Sequence, residues 1–161
     1  MSVAKKAAGN QTLYRFLFVL YAAAMLWLLF GQRLERGISY ADYEAQLAGN
    51  MNLEPLKTIR LYWRLLENSH NPYLLRHAFI NLAGNIVMFI PLGFFLPHIW
   101  SKQRNVFVTL LSVAVMIAVV ETVQFFSLLG SCDIDDLILN LAGALLGYIL
   151  WKFSGAMKKR R

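Results

Sequence analysis

Four long apolar runs, at 16–30, 78–100, 106–129 and 137–153, constrain this chain more than any other feature. A bilayer core of ~30 Å is crossed by roughly 17–25 helical residues. The middle two runs reach that length unaided. The first reaches it when Leu13, Tyr14 and Gly31 join, with Arg15 snorkelling to the head groups. The fourth reaches it when it begins at Asp133. The pattern specifies an all-α integral membrane protein, a single membrane domain over 1–161. Its four transmembrane helices fall near 13–31, 78–100, 106–129 and 133–153, with a long outer loop at 32–77. Composition agrees: 58% of residues are hydrophobic and 16% charged, where a soluble domain has about half and a quarter.

Charge is distributed as unevenly as hydropathy. Lys5, Lys6, Arg15, Lys102, Arg104, Lys152, Lys158, Lys159, Arg160 and Arg161 occupy the amino terminus, the 101–105 loop and the carboxyl end, with no acid among them. All nine acids fall in the 31–77 loop, the third span or the 130–136 turn. The positive-inside rule then places both termini of a multi-pass membrane protein in the cytoplasm. The net charge of +7 is thus a topology signal. Nucleic acid is excluded as a partner, because the basic residues flank spans and do not tile one soluble face. The first span is read as a retained signal anchor, since "LFGQRLERG" after it offers no small-x-small cleavage site.

Within the outer loop, "ISYADYEAQLAGNMN" is expected to be partly helical. "LKTIRLYWRLLENS" spaces Leu56, Ile59, Trp63 and Leu66 as one helical face, with Arg60, Arg64 and Glu67 around it. Two placements fit: an interfacial helix in the head-group layer, or a helix packed on the spans. Pro55 is expected in its first turn, and Asn68 to Pro72 are expected to end it. Cys132 is the lone cysteine, so no internal disulfide forms. It reads either as a small turn residue or as a reactive thiol.

Polar residues inside the spans point to chemistry. "NLAG" occurs at 81–84 and again at 140–143, in two spans expected to run in the same direction. Such placement suggests duplication of a helical hairpin about an axis along the membrane normal. Asn81 and Asn85 share a face of span two, and Glu121 and Gln124 share one of span three. Asp133, Asp136, Asn140, Gly143 and Gly147 form one stripe from the turn into span four. At ~1.5 Å per residue these groups lie roughly 5–12 Å below the outer surface. Asp133 and Asp136 stand at its entrance. An ionised group at the bilayer centre costs about 3 kcal/mol, so Glu121 is expected to face a shared interior. The asparagines and Gln124 are donors suited to that carboxylate. Gly84, Gly143 and Gly147 are assigned to close helix packing. The competing structural reading makes the amides interhelical glue, Asp133 the N-cap of span four and Asp136 a partner of its dipole.

These residues resemble the VanZ-like membrane proteins. The likeness lies in "NLEPLKTI" at 52–59, "INLAGNIVMFIPLGFFLP" at 80–97, "ETVQ" at 121–124 and "CDIDDLILNLAGALLGY" at 132–148. It implies a small polytopic bacterial membrane protein of the cell envelope, in a family named for a member linked to teicoplanin resistance. The family's characteristic polar positions fall on Asn81, Asn85, Glu121, Gln124, Asp133, Asp136 and Asn140. Many members carry an arginine shortly before the acidic turn, where this chain has "LLGSC". An anionic ligand would therefore need a cation from elsewhere, such as Arg76, or a metal.

Three functional readings follow. The first is an outward-facing polar pocket that binds a cell-envelope component, such as a lipid-linked cell-wall precursor. The second is an intramembrane enzyme, with Glu121, Asp133 and Asp136 as acid and base or as oxygen ligands to a divalent cation. His77, just outside span two, is placed to join them. The third is a proton or ion carrier working through Glu121. No nucleophile or zinc-spacing motif is present, and no cofactor or metal site is expected. The sequence specifies no oligomeric state.

Overall fold

The computed structural model describes residues 3–31, 43, 47 and 49–159. Its principal helices are α1 (Val3–Leu26), α2 (Lys57–Asn68), α3 (Pro72–Ile99), α4 (Val106–Phe126) and α5 (Ile134–Lys159). The stretches Gln11–Gly31, Pro72–Ile99, Val106–Phe126 and Ile134–Gly155 are each long and apolar enough to cross a membrane. The chain is an all-α membrane protein, as its apolar runs require. Of "ISYADYEAQLAGNMN", Tyr43, Leu47 and Gly49 are described and helical, Met51 and Asn52 form a short strand, and most of the remainder lies outside the described residues.

The ends of the spans differ from the sequence reading in ways that physics explains. α3 begins at Pro72, six residues before the expected 78. Asn71 caps it by accepting from the Tyr73 N–H at 2.9 Å, and proline occupies the first helical position. Asn-Pro is a helix start as well as a stop, so the polar turns carrying Tyr73, Arg76 and His77 belong to α3. α4 stops at Phe126, short of 129, because Leu128 turns left-handed at φ 55°. α1 runs directly into a π-helical turn, Trp27–Gly31.

α2 packs on the spans. Its half-buried face carries Thr58, Ile59, Tyr62 and Leu66, and the Tyr62 ring meets His77 of α3 at 5.7 Å. Trp63, expected on that face, is exposed and donates its indole N–H to Glu67 at 2.6 Å. Pro55 sits in the turn before the helix and outside its first turn.

α3 and α5 lie parallel and form the centre of the bundle. A methyl group on Gly143 would strike the Ile86 carbonyl, one on Gly147 the Ile90 carbonyl, and one on Gly93 the Ala144 carbonyl. Backbones this close need residues without side chains, as in other membrane helix pairs. Gly84, assigned to packing from sequence, meets only Ile80 of its own helix, at 3.8 Å. The close approach falls at Gly93 instead. Around this seam Phe89, Leu92, Leu96, Val113, Ile117 and Ala144 make the core. α1 crosses α3 in the opposite direction, with Tyr14 near His98 (ring centroids 4.0 Å apart) and the Tyr21 hydroxyl donating to the Met88 carbonyl at 2.8 Å.

Candidate functional site at the acidic turn

The chain after α4 is drawn back to the segment before α2 by a short parallel pairing. Strands β1 (Met51–Asn52) and β2 (Cys132–Asp133) match Met51 with Cys132 and Asn52 with Asp133. The Cys132 N–H donates to the Asn50 carbonyl at 2.8 Å. This pairing brings the start of α2 onto the start of α5, and the carboxylates organise the junction.

Asp133 is almost fully committed. One oxygen accepts from the Asn52 side-chain amide at 3.0 Å and from the Asp135 N–H at 2.9 Å. The other accepts from the Thr58 hydroxyl at 2.6 Å. The bond to Asp135 caps α5, which is a structural task. Asp135, buried completely, takes the Leu56 N–H at 2.5 Å and the Ile59 N–H at 3.0 Å, one on each oxygen. Leu56 occupies the N-cap position of α2 with φ 65° and offers no side-chain acceptor. Asp135 therefore caps α2 from another helix, placing its charge at the positive end of that dipole. Sequence reasoning passed over Asp135. The signal was available: a helix whose cap residue is leucine needs an acceptor from elsewhere.

The remaining polar residues separate into two groups. Asn85 donates its side-chain amide to Asp136, joining α3 to α5. Glu121 of α4 accepts the Asp133 N–H at 3.4 Å, a long bond that still sets the carboxylate at the same turn. Asn140 lies one turn beyond Asp136 on α5, 5% exposed, and its Oδ1 is buried with no hydrogen-bond partner. Asn85 and Asp136 are thus joined across α3 and α5, and Glu121 meets the backbone of Asp133 across α4 and the turn, while Asn140 lies one turn beyond Asp136. Asn81 and Gln124 do not join them directly. Asn81 donates to the carbonyl of His77 on its own helix at 2.9 Å. Gln124 is buried and donates to the Leu29 carbonyl at 3.0 Å, fastening α4 to the turn after α1. The two "NLAG" copies therefore differ in use: Asn81 and Gly84 are half-buried and open, whereas Asn140 and Gly143 are buried against α3.

The site is electrically negative at its rim. Burial first, then the charges of Glu121 and Asp133, push the Cys132 thiol above its ordinary range. Burial, followed by Asp136 and Asp133, does the same to the Tyr62 hydroxyl. Asp133 and Asp135 have no Lys or Arg partner among the described residues and are held by N–H and O–H donors alone. Among the described residues no group of three His, Cys, Asp or Glu side chains is arranged to hold a metal ion.

Beside this cluster lies a wholly apolar chamber of about 190 Å³ between α1, α3 and α4. Phe18, Met25 and Leu29 wall it on one side, and Phe89, Ile117 and Val120 on the other. The bond from Gln124, three residues beyond Glu121, to Leu29 lies at one end of that wall.

The VanZ/LLP1 family model matches residues 18–155. Protein VanZ of Enterococcus faecium is 25% identical over 145 residues, which cover 90% of this chain and 77% of that protein. No solved structure matches.

Proposed function

We propose, from the premise that this chain belongs to the VanZ/LLP1 family, that it binds a lipid-linked cell-envelope precursor in an outward-facing polar pocket. The observation that carries the reading is the buried, unbonded Oδ1 of Asn140 beneath Asp136 and Asn85. Leaving a buried acceptor unmade costs about 1–3 kcal/mol. Helix adhesion alone would not keep such a group where a leucine would pack. A ligand hydroxyl or amide N–H donating to Asn140 removes that penalty, and Glu121, beside the backbone of Asp133, offers a second acceptor. The neighbouring apolar chamber suits the hydrocarbon part of the ligand, because an apolar cavity of this order stays dry and takes up apolar groups. The negative rim favours a donor-rich sugar or peptide moiety over a bare anion. A part in teicoplanin resistance belongs to this proposal through the family resemblance. Catalysis through Glu121, Asp133 and Asp136 has less support, since both oxygens of Asp133 already serve structural donors.

Binding of a polyprenyl-linked disaccharide–peptide to the purified full chain, followed by native mass spectrometry, tests the reading. Asn140→Leu is expected to weaken binding about tenfold, the equivalent of roughly 1.4 kcal/mol, while the thermal midpoint stays level or rises. Unchanged binding by both Asn140→Leu and Glu121→Gln would return the cluster to a purely structural role.

A further inference from the structure

At the end of the bundle opposite the acidic turn, a second cavity of about 600 Å³ opens between the end of α3, the 3₁₀ turn Ser101–Arg104 and α4. Its two sides differ in chemistry. Lys102, Ser101, Gln103 and Ser112 supply the polar side, and Leu96, Trp100 and Met116 the apolar one. The polar side is built and incomplete. Gln103 is fixed twice: its side-chain amide donates to the Ser112 hydroxyl at 2.8 Å, and its backbone carbonyl accepts from the Thr109 hydroxyl at 2.5 Å. That arrangement leaves Gln103 Oε1 buried without a hydrogen-bond partner. A buried acceptor held rigidly in a polar recess calls for a donor.

We infer that this cavity is a head-group site for one glycerophospholipid whose phosphate carries a further group with a hydroxyl or a primary ammonium. Lys102 is the cation for the phosphate, and the 101–105 connection holds Lys102 and Arg104 with no acid. The head group's hydroxyl or ammonium donates to Gln103 Oε1. The acyl chain lies against Leu96 and Met116. Met116 also lines the apolar chamber between α1, α3 and α4, so the hydrocarbon path continues along α4. Trp100, about half exposed where α3 ends, is the amphipathic ring expected at head-group level. A soluble phosphate compound would satisfy Lys102 and leave the apolar side facing water, which is why a lipid is the better occupant. This inference does not rest on the outward pocket and survives its failure.

Native mass spectrometry of the full chain with phosphatidylglycerol, phosphatidylcholine and sn-glycerol 3-phosphate decides the matter. Phosphatidylglycerol is expected to give a one-to-one adduct that Lys102→Glu weakens about tenfold. Phosphatidylcholine, which lacks the donor, and glycerol 3-phosphate, which lacks the chains, are expected to bind at least about tenfold more weakly. Lys152→Glu changes charge by the same amount at an exposed position on α5 and is expected to leave the adduct intact. Lys102→Arg keeps the cation and should keep the lipid, which separates loss of the site from loss of the fold. Equal weakening by Lys152→Glu would reduce the effect to diffuse surface charge. Equal binding of phosphatidylcholine would overturn the head-group donor to Gln103, and equal binding of glycerol 3-phosphate would overturn the lipid assignment.

Discussion

A carboxylate sealed from solvent needs either a cation or several well-placed donors, because desolvation otherwise neutralises it. Asp135 takes the second course, with one backbone N–H on each oxygen. Asparagine could keep only one of those bonds, and its amide would present N–H to N–H at the other. Asp135→Asn is therefore expected to cost about 1–3 kcal/mol and to loosen α2 specifically. A lowered thermal midpoint with faster tryptic cleavage at Lys57, Arg60 and Arg64 would show this, whereas unchanged cleavage would remove Asp135 from the capping role. Cys132 reports on the other carboxylates. Its thiol is held above its ordinary range by burial and then by Glu121 and Asp133. Thiolate is the reacting form, so maleimide labelling should be slow near neutrality and rise with pH. Glu121→Gln removes one anion, lowers the thiol's pKa and raises the thiolate fraction at every pH below it. Labelling should then quicken about twofold or more. A rate–pH profile that does not move would mean Glu121 does not stand beside the turn.

The helix pair α3 and α5 owes its closeness to glycine at three positions of contact, Gly93, Gly143 and Gly147. An added methyl at any of them meets backbone, which cannot swing aside as a flexible side chain would. Alanine at Gly143 or Gly93 is expected to cost about 1–3 kcal/mol through forced separation of the helices. Gly84→Ala meets no neighbouring helix and is expected to be neutral or stabilising by up to about 1 kcal/mol through helix propensity. Thermal midpoints in one detergent rank the variants, and a Gly84→Ala loss as large as that of Gly143→Ala would contradict the packing described. This contrast also marks what the sequence could reveal. The four spans were legible because length and hydropathy are properties of a single segment. The stripe ending in Gly143 and Gly147 was legible because helical spacing is local too. Gly84 was misread because a glycine's neighbours lie on another helix. Likewise α2 turns Tyr62 and not Trp63 inward, a choice made by His77 of α3. The acceptor for α2 lies 79 residues from Leu56, and that for Gln124 lies 95 residues back at Leu29. Pairings at that distance leave no periodic trace. Asp133, Asp136 and Asn85 could be named from their cost in lipid; which of them is structural required seeing their partners.

At the scale of the whole bundle, tertiary contacts gather the charges into two opposed ends. Tyr14 meets His98, His98 meets Trp151 at 6.3 Å, and the Tyr148 hydroxyl donates to the Arg104 carbonyl at 2.6 Å. Those contacts bring the start of the α1 span, the 101–105 connection and the far part of α5 to one end, where Arg15, Lys102, Arg104 and Lys152 lie with no acid among them. The acidic turn, α2 and the π-helical turn occupy the other. Insertion machinery retains Lys and Arg on the cytoplasmic side, so the basic end should be cytoplasmic and the acidic turn should face outward. The chain carries its own probe for this, since Cys132 is its single cysteine and lies in that turn. A membrane-impermeant maleimide added to intact cells at mildly alkaline pH is expected to label Cys132 without permeabilisation. A fluorescent protein fused after Arg161 should fold and emit, as it does only in the cytoplasm. Labelling that appears only after the membrane is opened would invert the protein. The polar pocket would then face the cytoplasm and could not meet a precursor displayed outside, while the lipid site at Lys102 would have to draw on the outer leaflet.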